Sequence, residues 1–351
     1  MMPPSLHSLA LALLCAAGLC PAAVDLVYRF PTDNHALQRG RGEDFYMYCD
    51  RNFEGVKSKP WQAGGYGMVR TPFRAGDGKV MYSHLHEGID IKPTKRDAKG
   101  EPLDEIRPIA PGTVAYVSAH PGMSNYGRYV VVSHSVPEGT IYSLYAHLSK
   151  VNCEVGQHVG TGNVLGIMGH SGAGLNRERS HVHLELCLMI HSRYEEFCPE
   201  ENKHGAFNGL NLIGIDVSPL LLACKDGEPL SLQAHWATLK EHYRVRVPYQ
   251  GKKPDILVRH PFLFRGEWTP APKALDFAFS AEGVPLAVYP AQNAVQEPVI
   301  IKCTPLPTLQ QNATANRVKN SSKDAALTVS GLRYVRQYIW QKEQNSTSSA
   351  P

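Results

Sequence analysis

The sequence predicts a mostly β protein: a compact antiparallel β-sandwich or barrel-sandwich hybrid, with a second small β region behind it. Three observations predict this. Gly 30 and Pro 26 among 351 residues are high for a helical bundle and fit a loop-rich β protein. The segments TVAYVS, RYVVVSH and IYSLYAHL are rich in β-branched and aromatic residues, which suit pleated strands. In VGQHVGTGNVLGIMGHSGAG, Gly156, Gly160, Gly162, Gly166, Gly169 and Gly172 recur at short intervals, as tight turns and strand bends require. A phosphate-binding loop is rejected for this stretch, because no GK[ST] appears and no helix pattern follows.

Taken in chain order, residues 1–23 read as a signal peptide. The run LALALLCAAGLC is too short to span a bilayer and ends near the small-residue site Cys20-Pro21-Ala22-Ala23. Residues 24–79 form an N-terminal extension with aromatics in DFYMYCDRNFEG and a glycine cluster at Gly64–Gly67. Residues 80–225 hold the short β segments and glycine turns and form the central domain. Residues 226–303 form a C-terminal β region, where LDFAFS puts Leu275, Phe277 and Phe279 on one face. VPLAVY follows Glu282-Gly283 as the second arm of a hairpin. Residues 304–351 form a polar, partly disordered tail with a short helix-like stretch.

Composition removes several classes. Lys+Arg 36 against Asp+Glu 32 gives +4, too balanced for a nucleic-acid protein with a strong basic field. Hydrophobic residues at 43% and charged residues at 19% exclude wholesale disorder. The apolar stretch Leu210–Cys224 contains Asp216 and Pro219, so no transmembrane span is expected after signal cleavage. The expected location is therefore periplasmic or extracellular. Six cysteines would remain: Cys49, Cys153, Cys187, Cys198, Cys224 and Cys303. Export permits disulfides, and unpaired buried thiols are the alternative. No CxxC occurs, which argues against a cysteine zinc ribbon.

Three clusters carry chemistry: His86-Glu87-Gly88-Ile89-Asp90, Tyr145-Ala146-His147-Leu148 and His181-Val182-His183-Leu184-Glu185. On a strand, residues two apart share a face, so His181 and His183 project together. Val182, Leu184, Leu186 and Leu188 then face a core. An extended HxGxD likewise presents His86 and Asp90 to one side. Imidazoles and a single carboxylate form a catalytic zinc shell with one position open, and further histidines nearby can handle protons and developing charge.

These motifs together resemble the lysostaphin-like (LytM-type) zinc peptidoglycan endopeptidases, the duplicated hybrid motif family of cell-wall hydrolases. The resemblance covers residues 80 to 190 and rests on HEGIDI, PGTVAYV, YAHL, VGQHVGTGNVLGIMGHSG and HVHLEL. It implies one Zn²⁺ per chain, with His86, Asp90 and His183 as metal ligands and His147 and His181 as catalytic histidines. Glu185 takes the place of the family's carboxylate after HxH, either orienting a ligand or serving structure. The implied activity is zinc-dependent endopeptidase cleavage of stem or cross-link peptides of bacterial peptidoglycan. The chain departs from the pattern twice. KPTKRDAKGEPLDEIRPIAPG inserts polar residues after HxGxD, and AGLNRERS brings Arg177 and Arg179 beside the site. Guanidinium forks suit carboxylates of wall peptides, so either arginine is a candidate for substrate positioning.

His84 competes with His86 for the ligand position, and the HxGxD spacing selects His86. His134, His158, His170 and His191 lack partner spacing and read as structural or exposed. One rival is a catalytically inactive regulator of another wall hydrolase, which would be expected to lose ligands; all five positions are kept here. The other is a biotinyl or lipoyl carrier, which needs a lysine at the hairpin tip where Gly162-Asn163 stands. The sequence assigns no oligomeric state.

Overall fold

The computed structural model describes residues 23–201, 203–305, 310–320 and 323–341. The signal segment expected at the N-terminus falls outside these residues except for Ala23, as does the end of the polar tail from 342 on. Among the described residues no helix is long and apolar enough to cross a membrane.

The chain is mostly β, with antiparallel sheets and no closed barrel. A hairpin of β1 (Gly67–Arg74) and β2 (Val80–His86) leads into the short β3 (Ile89–Ile91). This hairpin straddles the boundary expected at residue 79. The segments picked out by β propensity follow as β4 (Gly112–Ser118), β5 (Arg128–Val136) and β6 (Gly139–Leu148). Then come β7 (His158–Val159), β8 (Val182–Met189) and β9 (Leu212–Ile215). The large sheet runs β7-β4-β5-β6-β8-β9, with β3 beside the first half of β8 and β9 beside its second half.

Alternation along β8 decides how the sheet sits. Val182, Leu184, Leu186 and Leu188 are buried in the main core, as their spacing predicts. His181, His183 and Glu185 take the opposite face, followed by Cys187 and Met189. That face is covered as well: Tyr129, Val131, Tyr142, Leu144 and Leu212 form a second apolar cluster, with Tyr126 and Phe207 against it. The buried histidines therefore sit at the end of a dry layer.

The C-terminal sheet runs β12-β11-β10-β13, from β10 (Tyr243–Pro248), β11 (Ala274–Phe279), β12 (Pro285–Ala291) and β13 (Val299–Cys303). Leu275, Phe277 and Phe279 are buried in the core, and the β11–β12 hairpin turns at Gly283, whose φ is +91°. The helix-like stretch of the tail forms α1 (Val329–Ile339), capped by Thr328 Oγ1, which accepts from Gly331 N. Tyr338 on α1 meets Phe277 and Phe279 edge-on at 5.5 Å. One contiguous core runs from Leu26 through the large sheet and the C-terminal sheet to Ile339. None of the six described cysteines forms a disulfide with another.

Candidate metal centre

The strand register brings the three clusters to one place. β8 pairs His183 opposite Asp90 of β3 and opposite Ala146 of β6, one residue before His147. His86 ends β2, and the chain turns through Gly88 before pairing again as β3. A Cβ on Gly88 would stand 2.3 Å from the Leu184 carbonyl oxygen, so only glycine lets the turn lie against β8. His86 and Asp90 thus reach one side through a tight turn between two strands rather than along one extended strand.

The donor atoms form a small triangle. His86 Nε2 lies 3.1 Å from His183 Nδ1 and 3.1 Å from Asp90 Oδ1, and His183 Nδ1 lies 2.9 Å from Asp90 Oδ1. All three residues are buried. A tetrahedral zinc ion with bonds of about 2.0–2.1 Å separates its ligand atoms by about 3.3 Å, so the triangle has the right size. The far side of each ring is tied. His86 Nδ1–H donates to Gly65 O at 2.7 Å, and His183 Nε2 bonds Glu185 Oε1 at 2.8 Å. Such partners fix the tautomer and turn the free lone pair toward a metal. Burial holds His86 below the usual histidine range, which keeps it a neutral ligand. Burial also opposes a charge on His183, but Asp90 and Glu185 on its two nitrogens outweigh it and push it up to about 10. That is the electrostatic demand for a cation at this point. The residues fit a zinc ion.

His147 and His181 stand beside the triangle, their rings meeting edge-on at 4.8 Å. Their Nδ1–H groups donate to backbone carbonyls, Ser171 O at 2.9 Å and Arg179 O at 2.7 Å, which leaves Nε2 as the nitrogen each ring can offer to a substrate. His181 Nε2 lies 3.4 Å from Asp90 Oδ1. His147 has φ +65°, a left-handed conformation that a β-strand residue takes only when its surroundings hold it there. Burial keeps its imidazole well below the usual range, hence neutral. Both rings line a cleft of about 660 Å³ with the three metal-ligand candidates.

Glu185 is buried and shared three ways: His183 Nε2, Tyr126 Oη at 2.6 Å and Cys187 Sγ at 3.1 Å. His84 lines the cleft but is exposed and outside the triangle. Of the two arginines in the unusual loop, Arg179 lines the cleft and donates to Tyr48 O at 3.3 Å. Arg177 does not reach it: the guanidinium is bound to Glu101 Oε1 at 2.7 Å and Lys99 O at 2.9 Å in the insertion. The sequence reading missed Arg70. This β1 residue lines the cleft, donates Nη2–H to Asp90 Oδ2 at 2.5 Å and Nε–H to Ala63 O at 3.0 Å. No motif marked it: it follows the Gly64–Gly67 run whose Gly65 carbonyl holds His86, and only the hairpin brings it to Asp90.

No curated protein sequence matches the chain. Among solved structures, it is similar to the catalytic domain of a point mutant of the prophage-encoded M23 protein EnpA from Enterococcus faecalis. That match has 26% identity over 30% of this chain and 70% of the other, with a TM-score of 0.24. The catalytic domain of lysostaphin from Staphylococcus simulans gives 21% identity over 45% and 88%, with a TM-score of 0.28. A zinc-containing peptidase from Vibrio cholerae gives 23% over 41% and 36%, with a TM-score of 0.25. The family model described as peptidase family M23 matches residues 84–193, the span that contains His86, Asp90, His147, His181 and His183, and the chain thus carries a peptidase M23 domain.

Proposed function

We propose that this protein is an exported zinc metalloendopeptidase that hydrolyses stem or cross-link peptide bonds of bacterial peptidoglycan. The observation that carries the reading is the convergence of a two-histidine, one-aspartate triangle with two further imidazoles held by backbone carbonyls at Nδ1 and lining the same cleft. The M23 domain supports the peptidase class. His86, Asp90 and His183 would hold the zinc ion, which when bound polarises a carbonyl and makes water acidic enough to attack it near neutral pH.

The chain's own residues do the rest. Neutral His147 accepts a proton from the attacking water at Nε2, while Ser171 O holds its Nδ1–H and fixes the tautomer. His181, held by Arg179 O, presents Nε2 to the same space; protonated, it donates to the carbonyl oxygen as charge develops there. The proton taken by His147 is then available to the leaving amine. The dry layer behind β8 keeps bulk water from one side of the site and strengthens these contacts.

Incubating the mature protein with purified sacculi, with and without a zinc chelator, tests the reading. Release of peptide fragments identified by mass, lost with chelator and restored by zinc, is the expected result. Stoichiometric zinc with intact sacculi would instead identify an inactive regulator of another hydrolase.

A further inference from the structure

A second cavity, of about 260 Å³, opens between the large sheet and α1. It shares Glu87, Gly209 and Leu210 with the metal cleft, so the two cavities are neighbours with a common wall. Its charged lining is two guanidinium groups, Arg317 and Arg333, against one carboxylate, Glu87.

Arg317 is held at every level except its charge. It follows two left-handed non-glycine residues, Ala315 at φ +48° and Asn316 at φ +61°, a strained turn that persists only where its surroundings over-determine it. Its carbonyl lies where a Cβ on Gly331 would be, 1.9 Å away, so α1 packs directly on its backbone. The guanidinium stacks on the Tyr334 ring at 4.3 Å, and a Cβ on Gly283 would come within 2.8 Å of its Cζ. Nη1–H donates to Glu282 O at 2.7 Å. The fork is thus clamped between an aromatic face and a backbone. Its Nε–Nη2 edge has no protein partner among the described residues, and no carboxylate there forms an ion pair with it. The one carboxylate in the cavity lining, Glu87, acts on this half-buried, immobilised guanidinium without bonding it, so the fork keeps an edge open to a further acceptor. The free edge is the one that takes a carboxylate through two parallel bonds.

We propose that this compartment is a carboxylate subsite, in which Arg317 binds a free carboxylate on an arm of the peptide whose backbone lies across the metal cleft. The proposal rests on the endopeptidase reading for the identity of that peptide, and it adds what part of it is recognised.

Binding and turnover separate the two claims. The full mature chain is titrated calorimetrically, without turnover, with L-Ala-γ-D-Glu-L-Lys and with its fully amidated analogue. Wild type is expected to prefer the free acid at least tenfold. Arg317→Gln and Arg317→Lys should both erase the preference, since lysine keeps the charge but not the fork. Equal binding of acid and amide by wild type, or a preference that survives in both variants, overturns the subsite. A variant that only lowers the melting temperature while keeping the preference shows a structural arginine and also overturns it. If sacculi are cleaved and Arg317→Gln leaves KM for acid and amidated substrates unchanged, the subsite fails alone. If sacculi stay intact but the acid preference depends on Arg317, the endopeptidase reading fails and the subsite stands.

Discussion

At the scale of single residues, the centre divides its histidines by what lies behind each ring. Alanine at His86, Asp90 or His183 takes one corner from a three-cornered site, so each variant should lose stoichiometric zinc, measured by atomic absorption on the purified protein. Alanine at His147 or His181 should leave zinc in place and reduce turnover on the order of a hundredfold or more. His84→Ala should keep both, because that side chain is outside the triangle. Arg70 poses a question of sign. Removing its charge should favour a cation nearby, while removing its bond leaves Asp90 Oδ2 unpaired in a place only 2% exposed. The lost bond should dominate, as burial leaves the carboxylate no water to turn to. Arg70→Met is therefore expected to weaken zinc binding by about 10–100-fold in a chelator competition. Tighter binding would show that charge repulsion wins. HxH was readable because strand parity puts His181 and His183 on one face, whereas His86 and Asp90 are brought together by the tight turn at Gly88 and not by parity along one strand. Arg70 was not readable, since its contact with Asp90 depends on how the β1–β2 hairpin folds back.

At the scale of elements, the two departures from the family pattern pack on each other. Arg96 of the insertion donates to Arg177 O at 2.8 Å and Glu178 O at 3.1 Å, and Glu101 takes Arg177 and His170. Their charges face one another rather than the cleft, so Arg177→Lys should leave kcat/KM unchanged, measured on sacculi at low and moderate salt. Arg179 remains the loop residue positioned to affect it. Strand β5 carries a different device. His134 is buried between Pro111 O at 2.8 Å and Ser143 Oγ at 2.7 Å, and burial lowers its pKa from 6.5 to about 4. As pH falls below 6.5 the unfolded chain takes up this proton first, so the stability is present above 6.5 and is lost on the way down to 4. The gap is worth about 3 kcal/mol. Urea titrations at pH 7 and pH 4 should show His134→Gln losing less stability on acidification than wild type by about that amount; equal losses would mean the site admits the proton. The alternation of β8 made its core face legible. Its other face was not legible, because the cover comes from Tyr126 and Phe207, which reach it from connections with no periodicity.

At the scale of the whole molecule, the length suggests about two domains, whereas the main core runs through both regions. Trp236, Val245 and Phe277 from the C-terminal region share a core with Val130, Leu184 and Ile213 of the large sheet. The helix closes the arrangement. Gln337 Nε2 donates to Asn211 Oδ1 at 2.7 Å, and Asn211 Nδ2 donates to His191 O and Ala206 O, pinning the connection from β8 to β9. That connection supplies His204, Asn208, Gly209 and Leu210 to the cleft wall. The end of the chain thereby sets the shape of the site near its middle. Nothing in the C-terminal sequence announces this, because a Gln on a short amphipathic helix reads as a solvent-facing residue. We expect the mature protein to unfold in one cooperative step, with calorimetric and van't Hoff enthalpies in agreement. Tyr338→Ala, which removes a fully buried ring from the junction, should lower stability by about 3–5 kcal/mol and carry the whole transition down with it. Two resolved transitions, with only the upper or lower one moved by Tyr338→Ala, would mean that the C-terminal region folds independently of the large sheet.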